Sequence, residues 1–425
     1  MMLRTRIATT VAVVTAISLA GCAPSESADS DTGAVTISFQ AFSNTPEGED
    51  ANGAIVDAWN DAHPETQVDL VMTPIDTVYD KLSTQMVGGT APDLVMDDAQ
   101  DIRQYVEQGY IADLTGLLSD DSVGAIDPQV LDTVSIDGIL AGIPTEMQTY
   151  VVFANKRIFD AAGVQLPSSE EMTLDEFEDA ARSTTSEGVS GVTWGLKSPM
   201  AAFMSLGVGN GARYFDGEGR DAQLVLGDAE LDLPNRVLDL IKDGAIDPVG
   251  VGQSSSDVIP TFYAGKAAMI LQQSYHIANF AADAPEGLDW VVLPPLAGSE
   301  GTQQAASPTT ISVTANSEHP DLAAKFLDFY LGAENLANLN LAEGLIPPTQ
   351  SGRDKLADLT VDMNGWAEVL HSGENLVVAP ANAASAYPGW KGTVANAAFQ
   401  QFLSGAIDER TLIAQLTEGW EQSNL

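Results

Sequence analysis

The residue types that carry out chemistry in enzymes are either scarce in this sequence or lack a recognisable spacing. Cys22 is the only cysteine, which excludes an intrachain disulfide, and we expect neither a thiol nucleophile nor a cysteine-based zinc site. The four histidines show no ligand spacing, and no metalloprotease, P-loop or Gly-x-Ser-x-Gly motif occurs. Because 60 residues are acidic, a carboxylate pair for glycoside hydrolysis could still be assembled in three dimensions. We expect no catalytic residue, no metal and no cofactor, and we keep a lipid-anchored glycosidase as the enzyme alternative.

Polar and aromatic side chains instead follow predicted strands and turns, where they could bind a small molecule. Carboxylates and amides bind hydroxyl groups, aromatic rings cover apolar faces, and the loops at strand ends of an α/β sheet form its ligand site. These candidates are Phe42, Ser43, Asn44, Asp97, Asp98, Glu146 and Gln148. For Asp97 and Asp98, a turn or helix cap is an equally good interpretation.

The elements that position these side chains alternate between strand and helix. Residues 35–39, 68–71, 94–96 and 150–153 have the apolar patterns of strands. Between two of them, Ile75, Val78, Tyr79, Leu82 and Met86 recur with helical spacing. This alternation predicts an α/β fold with parallel strands. About 390 residues follow the leader, which is more than one hydrophobic core holds, so we predict two domains.

The first 34 residues resemble a processing and anchoring segment. Arg4 and Arg6 precede an apolar stretch over 7–20, and Leu-Ala-Gly-Cys ending at Cys22 resembles a bacterial lipobox. We predict a lipoprotein signal peptide at 1–21, lipidation of Cys22, and a flexible tether within 22–34. The predicted location is the extracytoplasmic face of the cell membrane. The alternative is an ordinary secretory signal with an incidental cysteine.

The net charge of −42 restricts the partners of the protein. Such a surface repels nucleic acid and anionic lipid headgroups, so we expect no nucleic-acid partner. The acidic residues are spread along the chain rather than gathered in a tail, which favours a role in solubility, for example at high salt. A cationic ligand is the alternative explanation.

Five stretches together resemble the family 1 extracellular solute-binding proteins of bacterial ABC importers, the group that contains maltose-binding proteins. The stretches are 59–94, with Gly-Gly-Thr-Ala-Pro-Asp-Leu at its end, 109–114, 142–144, 154–177, and 262–269, with Phe-Tyr-Ala-Gly-Lys-Ala-Ala-Met. The resemblance implies a two-lobe periplasmic-binding-protein-like α/β fold of class II type, hinged around a central ligand cleft. By position, lobe 1 would comprise 35–149 and 309–345, and lobe 2 would comprise 150–308 and 346–425.

The resemblance also implies a function and further ligand-binding residues. A monomer would capture an extracellular sugar by hinge closure and deliver it to the permease subunits. The additional candidates from the resemblance are Tyr275, Tyr387 and Trp390, where Tyr275 stands at a usual family tryptophan and could instead be core. Trp194 and Asn210 are further candidates that no family position supports. Tyr387 and Trp390 lie where maltose-type binders place an aromatic platform, and the Pro-Gly pair between them predicts an exposed turn, which is a poor place to bury an indole. A cationic or zwitterionic solute, such as a polyamine or an osmolyte, is the alternative ligand.

Overall fold

Strands and helices alternate along the chain, and the computed structural model of the protein describes residues 34–424. The strands are β1 (Val35–Ala41), β2 (Thr66–Met72), β3 (Leu94–Asp98), β4 (Ser135–Ile136), β5 (Ile139–Leu140), β6 (Ile143–Glu146), β7 (Tyr150–Asn155), β8 (Met172–Thr173), β9 (Ser190–Thr193), β10 (Phe215–Asp216), β11 (Gln223–Leu224), β12 (Ala267–Gln273), β13 (Trp290–Val292), β14 (Leu296–Ala297), β15 (Gln304–Ala306), β16 (Thr309–Val313) and β17 (Leu376–Val378). The helices are α1 (Pro46–Ala62), α2 (Ile75–Gly88), α3 (Ala99–Glu107), α4 (Asp120–Ala125), α5 (Pro128–Leu131), α6 (Lys156–Ala162), α7 (Leu174–Thr184), α8 (Met200–Gly207), α9 (Asp228–Lys242), α10 (Ile259–Tyr263), α11 (His276–Asp283), α12 (Pro320–Tyr330), α13 (Ala333–Glu343), α14 (Gln350–Thr360), α15 (Trp366–Ser372), α16 (Tyr387–Trp390), α17 (Asn396–Leu403) and α18 (Glu409–Ser423).

Caps and breakers in the sequence set several of these helix ends. The Thr45 side chain accepts a hydrogen bond from the Gly48 N–H at the start of α1. Helix α7 opens with a complete capping box between Thr173 and Glu176, as its sequence predicts. Helix α2 ends at Gly89, whose φ of 64° is in the left-handed region that favours glycine.

The first lobe is built on a five-stranded sheet in the order β2-β1-β3-β16-β6. Strands β1, β2 and β3 run parallel, as predicted, whereas β16 is antiparallel to both β3 and β6. Strand β16 comes from residues 309–313 and therefore returns to this sheet after a long excursion of the chain. Helices α1, α12 and α13 pack around this sheet and bury Trp59.

The second lobe is built on a four-stranded sheet in the order β13-β7-β12-β9. Strand β7 is antiparallel to β12 and β13, and only β9 and β12 run parallel. The prediction of parallel strands is therefore wrong for most of this sheet. Apolar patterning reports that a strand is buried but carries no information about its direction, which depends on the connections.

The chain passes between the two sheets more than once. Strand β6 of the first sheet leads directly into β7 of the second, and β15 leads back into β16. Met147 and Ile346 exchange backbone hydrogen bonds of 2.9 Å, which tie two of the connecting segments together. Helix α14 packs against α13, whereas α15 packs against β7 and β13, so packing favours a last crossing after α14. The lobe limits given above, with a break at 345, stay a prediction.

Residues 1–33, which include Cys22 and the predicted signal peptide and tether, lie outside the described residues. Within 34–424, no helix combines the length and apolarity needed to cross a bilayer.

Candidate functional site

A cavity of about 350 Å³ lies between the two sheets and is lined by both lobes. Its walls combine carboxylates, amides, hydroxyls and aromatic rings. The lining residues are Phe42, Asn44, Ile75, Val78, Tyr79, Asp97, Asp98, Asp101, Glu146, Met147, Gln148, Gln273, Tyr275, Ser307, Thr309 and Leu345. Seven of the predicted residues are among them: Phe42, Asn44, Asp97, Asp98, Glu146, Gln148 and Tyr275.

The sheet register places the acidic residues of the first lobe side by side. In β16, Thr309 is paired with Asp98 of β3 on one side and with Glu146 of β6 on the other. Because neighbouring strands lie about 4.8 Å apart, the backbones carrying the two carboxylates are roughly 10 Å apart. Residues 48 positions apart in sequence thus share one sheet edge only because β16 is inserted between their strands.

Asp97 and Asp101 extend this acidic edge onto the start of α3. The Asp98 N–H donates a 2.8 Å hydrogen bond to Asp97 Oδ1, while Asp97 Oδ2 has no hydrogen-bond partner among the described residues. Burial, with repulsion from Asp101 and Asp98, raises the pKa of Asp97 well above its ordinary value. Burial and the Asp98 charge raise the pKa of Asp101 to about 7, and the Lys391 charge partly offsets this rise.

Glu146 and Glu343 form a second acidic pair beneath the cavity. Glu146 is 5% exposed, its Oε1 lacks a partner within the described chain, and burial together with the Glu343 charge raises its pKa well above the ordinary value. Glu343 binds the Ser43 hydroxyl and accepts a 3.1 Å hydrogen bond from the Asn44 N–H. Ser43 was expected at the ligand site, but it does not line the cavity. Its hydroxyl holds the loop after β1 against α13.

Aromatic rings face the acidic edge from several elements. Phe42 follows β1, Tyr79 lies 40% exposed on α2, and Tyr275 follows β12 of the second lobe. The backbone of Tyr275 packs closely against Gly344, since a Cβ at Gly344 would lie 2.5 Å from the Tyr275 carbonyl oxygen. This contact, at a φ of 72°, requires glycine and fixes the Tyr275 backbone against the end of α13.

Two smaller cavities continue the cleft into the second lobe. One of about 280 Å³ is lined by Tyr150, Trp194, Lys197, Ser255 and Gln272, among others. The other, of about 70 Å³, includes Tyr387. All three cavities share Gln273, so they form one elongated cleft. Trp194 and Tyr387 are therefore beside the cleft, although both side chains are mostly buried.

The structure places Trp390 in the core, contrary to the expectation that it forms a platform for ligand. Trp390 is 0% exposed, its indole N–H donates a 3.1 Å hydrogen bond to the Leu416 carbonyl, and its ring packs edge-on against Trp420 at 5.6 Å. Pro388 stands in the first turn of α16 instead of forming an exposed turn, and this helix directs the indole toward α18.

Asn210 is also removed from the cleft. Its amide nitrogen donates to Asp232 Oδ2 at 3.0 Å and its oxygen accepts from the Ser299 N–H at 3.0 Å. Both polar ends of the side chain are occupied within the second lobe, and Asn210 lines none of the three cavities.

Several cleft residues were not predicted as site residues. Asp101 lies one helical turn after Asp97 and could have been identified by that spacing. Tyr79 belongs to the apolar pattern of α2, which does not distinguish a core face from a cleft face. Others include Ile75, Tyr150, Gln272, Gln273 and Ser307, none of which carries a distinctive local pattern.

Two α/β lobes joined by crossing segments, with a polar and aromatic cleft between them, define a hinged solute-binding protein. Residues 43–337 match the family described as bacterial extracellular solute-binding protein. The chain belongs to this family. It is 32% identical over 423 residues to a protein named uncharacterized lipoprotein in oleD 5'region of Streptomyces antibioticus, covering 98% of this chain and 92% of that one.

Solved structures have the same fold. The cyclic alpha-maltosyl-1,6-maltose binding protein of Arthrobacter globiformis superimposes with a TM-score of 0.80 at 18% identity, covering 92% of this chain and 99% of that one. The sugar-binding protein MalE of Xanthomonas citri gives a TM-score of 0.78 at 17% identity, with 92% and 97% covered. These similarities confirm the two-lobe fold that the sequence predicts.

Proposed function

We propose that the protein captures a sugar or oligosaccharide in the cleft between its lobes and delivers it to the permease of an ABC importer. The observation that carries this proposal is the elongated cleft with Phe42, Tyr79 and Tyr275 around a row of carboxylates and amides. Rings pack on the apolar faces of a sugar, and carboxylates and amides bind its hydroxyls. One of the two solved structures is named as a binder of cyclic alpha-maltosyl-1,6-maltose and the other as a sugar-binding protein, which supports the same ligand class.

Closure over a ligand follows from the way the cleft is divided between the lobes. Asp98 and Glu146 belong to the first lobe, whereas Gln273 and Tyr275 belong to the second. A ligand that contacts both walls binds more tightly to the closed arrangement than to an open one, so ligand binding favours closure. A monomer held to the membrane through lipid on Cys22 would then present the closed lobes to the permease subunits.

The test is calorimetric titration and thermal unfolding of the purified protein with a panel of mono- and oligosaccharides. A sugar present at about 100 times its Kd should add about 2.7 kcal/mol to the free energy of unfolding. Tyr275→Ala should weaken binding of that sugar at least tenfold. Tyr110→Ala removes another half-buried tyrosine ring, outside the cleft, and should leave the affinity unchanged.

Two other ligand assignments predict different results. A polyamine or osmolyte binder would be stabilised by those solutes and by no sugar, and its affinity for a cation would fall with ionic strength. A glycosidase would convert labelled oligosaccharides to shorter products, whereas a binding protein returns them unchanged. Either result, with no stoichiometric capture of sugar, would refute the proposed function.

A further inference from the structure

Four carboxylates of the first lobe line the same wall of the cavity of about 350 Å³ between the two sheets. They are Asp97, Asp98, Asp101 and Glu146. Asp97 and Glu146 are each only 5% exposed, and Asp98 and Asp101 are half-buried. This density of acidic groups exceeds what is needed to bind the hydroxyls of a neutral sugar, because amides and hydroxyls also line the cavity and can do so.

Within the described chain, these carboxylates are poorly neutralised. None of the four forms an ion pair within 4 Å among the described residues. Among residues 34–424, Lys391 is the cation whose charge acts on Asp98 and Asp101, and its ammonium lies 5.2 Å from the centre of the Tyr387 ring. Burying charge without a partner is costly, so such a wall favours a ligand that supplies positive charge.

The two most buried carboxylates each retain an unused hydrogen-bond acceptor. Asp97 Oδ2 and Glu146 Oε1 have no hydrogen-bond partner among residues 34–424, although both side chains line the cavity. The other oxygen of Asp97, Oδ1, accepts a hydrogen bond from the Asp98 N–H. An ammonium group has three donors and no acceptor, so it matches a group of carboxylate acceptors better than a hydroxyl does.

We propose that the natural ligand is a sugar carrying a basic nitrogen, whose protonated amine is held at the acidic wall of the cleft, where Asp97 and Glu146 each offer an unused acceptor. The inference rests on the proposed function, because the sugar ring is still bound by the aromatic side chains. It goes beyond that function by naming the group that selects among sugars. It also differs from a polyamine site, since the adjoining rings and the amides Gln148 and Gln273 would serve the rest of the sugar.

The experiment compares sugars that differ only in whether an amine or a hydroxyl occupies position 2 of each ring. D-Glucosamine is paired with D-glucose, and the β-1,4-linked glucosamine disaccharide with cellobiose, while spermidine serves as a cation without a sugar ring. Binding to the purified full chain is measured by calorimetry at neutral pH and at low and high salt. Because a hydrogen bond to a charged partner contributes more than one between neutral groups, the amine member should bind about tenfold more tightly. High salt should reduce that preference.

Substitutions that remove the charge of a carboxylate but keep the shape of its side chain identify which carboxylates bind the amine. Asp97→Asn and Glu146→Gln should each weaken binding of the amine member about tenfold more than binding of its hydroxyl counterpart, so that the preference for the amine is lost. Asp69→Asn makes the same change of net charge at an exposed position of β2 outside the cavity, and should retain the preference. Thermal unfolding of each variant verifies that it is folded.

The outcomes separate this inference from the proposed function. If a hydroxyl sugar binds as tightly as its amine counterpart, the inference fails and the proposed function stands. If the amine is preferred equally in all three variants, the assigned carboxylates are wrong and the inference fails in this form. If spermidine alone binds, or no sugar binds, both the inference and the proposed function are refuted.

Discussion

Trp390 offers the sharpest test of how the cleft is separated from the core of the second lobe. Trp390→Ala removes a fully buried indole that contacts Trp420 and donates to the Leu416 carbonyl. Truncating a buried tryptophan to alanine costs about 3–5 kcal/mol, and the lost aromatic contacts place this site toward the upper part of that range. For cooperative unfolding of about 390 residues, with an entropy near 2.1 cal/mol/K per residue, about 4 kcal/mol lowers Tm by about 5 °C.

The assay is thermal unfolding in parallel with calorimetric titration of the bound sugar. Tyr79→Ala provides the matched control, because it also deletes an aromatic ring but at a cleft position that is 40% exposed. Tyr79→Ala should weaken sugar binding while changing the free energy of unfolding by about 0.5 kcal/mol or less. Trp390→Ala should show the opposite pattern. An unchanged Tm for Trp390→Ala together with a large loss of affinity would refute the assignment of this indole to the core.

Three further substitutions test other parts of the structure. Gly344→Ala should weaken sugar binding at least tenfold, measured by calorimetry, because the new Cβ would displace the Tyr275 backbone; unchanged affinity would contradict the close contact. Burial and a neighbouring carboxylate raise the pKa of Asp101 to about 7, so the folded protein holds this proton more tightly than the unfolded chain does and loses stability as pH rises from about 4 to about 7. Asp101→Asn should therefore raise Tm at about pH 8 and leave it nearly unchanged at about pH 4, and equal effects at both pH values would contradict the shift. Thr173→Ala removes the cap of α7 and should lower the free energy of unfolding by about 1 kcal/mol in thermal melts, whereas Thr173→Ser should restore it.

The elements could be predicted from sequence because their signals are local. The helix over 75–88 follows from apolar residues at helical spacing, and its end follows from Gly88 and Gly89. The same pattern does not distinguish the residues of that helix that pack in the core from those that face the cleft. Leu82 is fully buried, whereas Ile75 and Tyr79 are exposed toward the cleft. Periodicity measures which residues are apolar, and both a core and a sugar-binding wall need apolar residues.

The lining of the candidate cleft was predicted where it depends on strand ends and missed where it depends on packing between distant elements. Asp97, Asp98 and Glu146 each follow or end a strand, and the strand pairing brings them to one edge. Trp390 was misplaced because the sequence before it resembles an exposed turn, while its burial is set by α18, some 26 residues later. Such a contact cannot be predicted from the sequence around Trp390 alone.

The insertion of β16 between β3 and β6 has a consequence for the order in which the protein can acquire its ligand site. Asp98 and Glu146 are adjacent only through Thr309, which lies more than 160 residues after the second of them. A growing or translocating chain that has not yet released residue 313 has both acids but no scaffold to align them. Assembly of the binding wall must therefore wait for most of the chain to emerge, and closing so long a loop makes this a late step of folding.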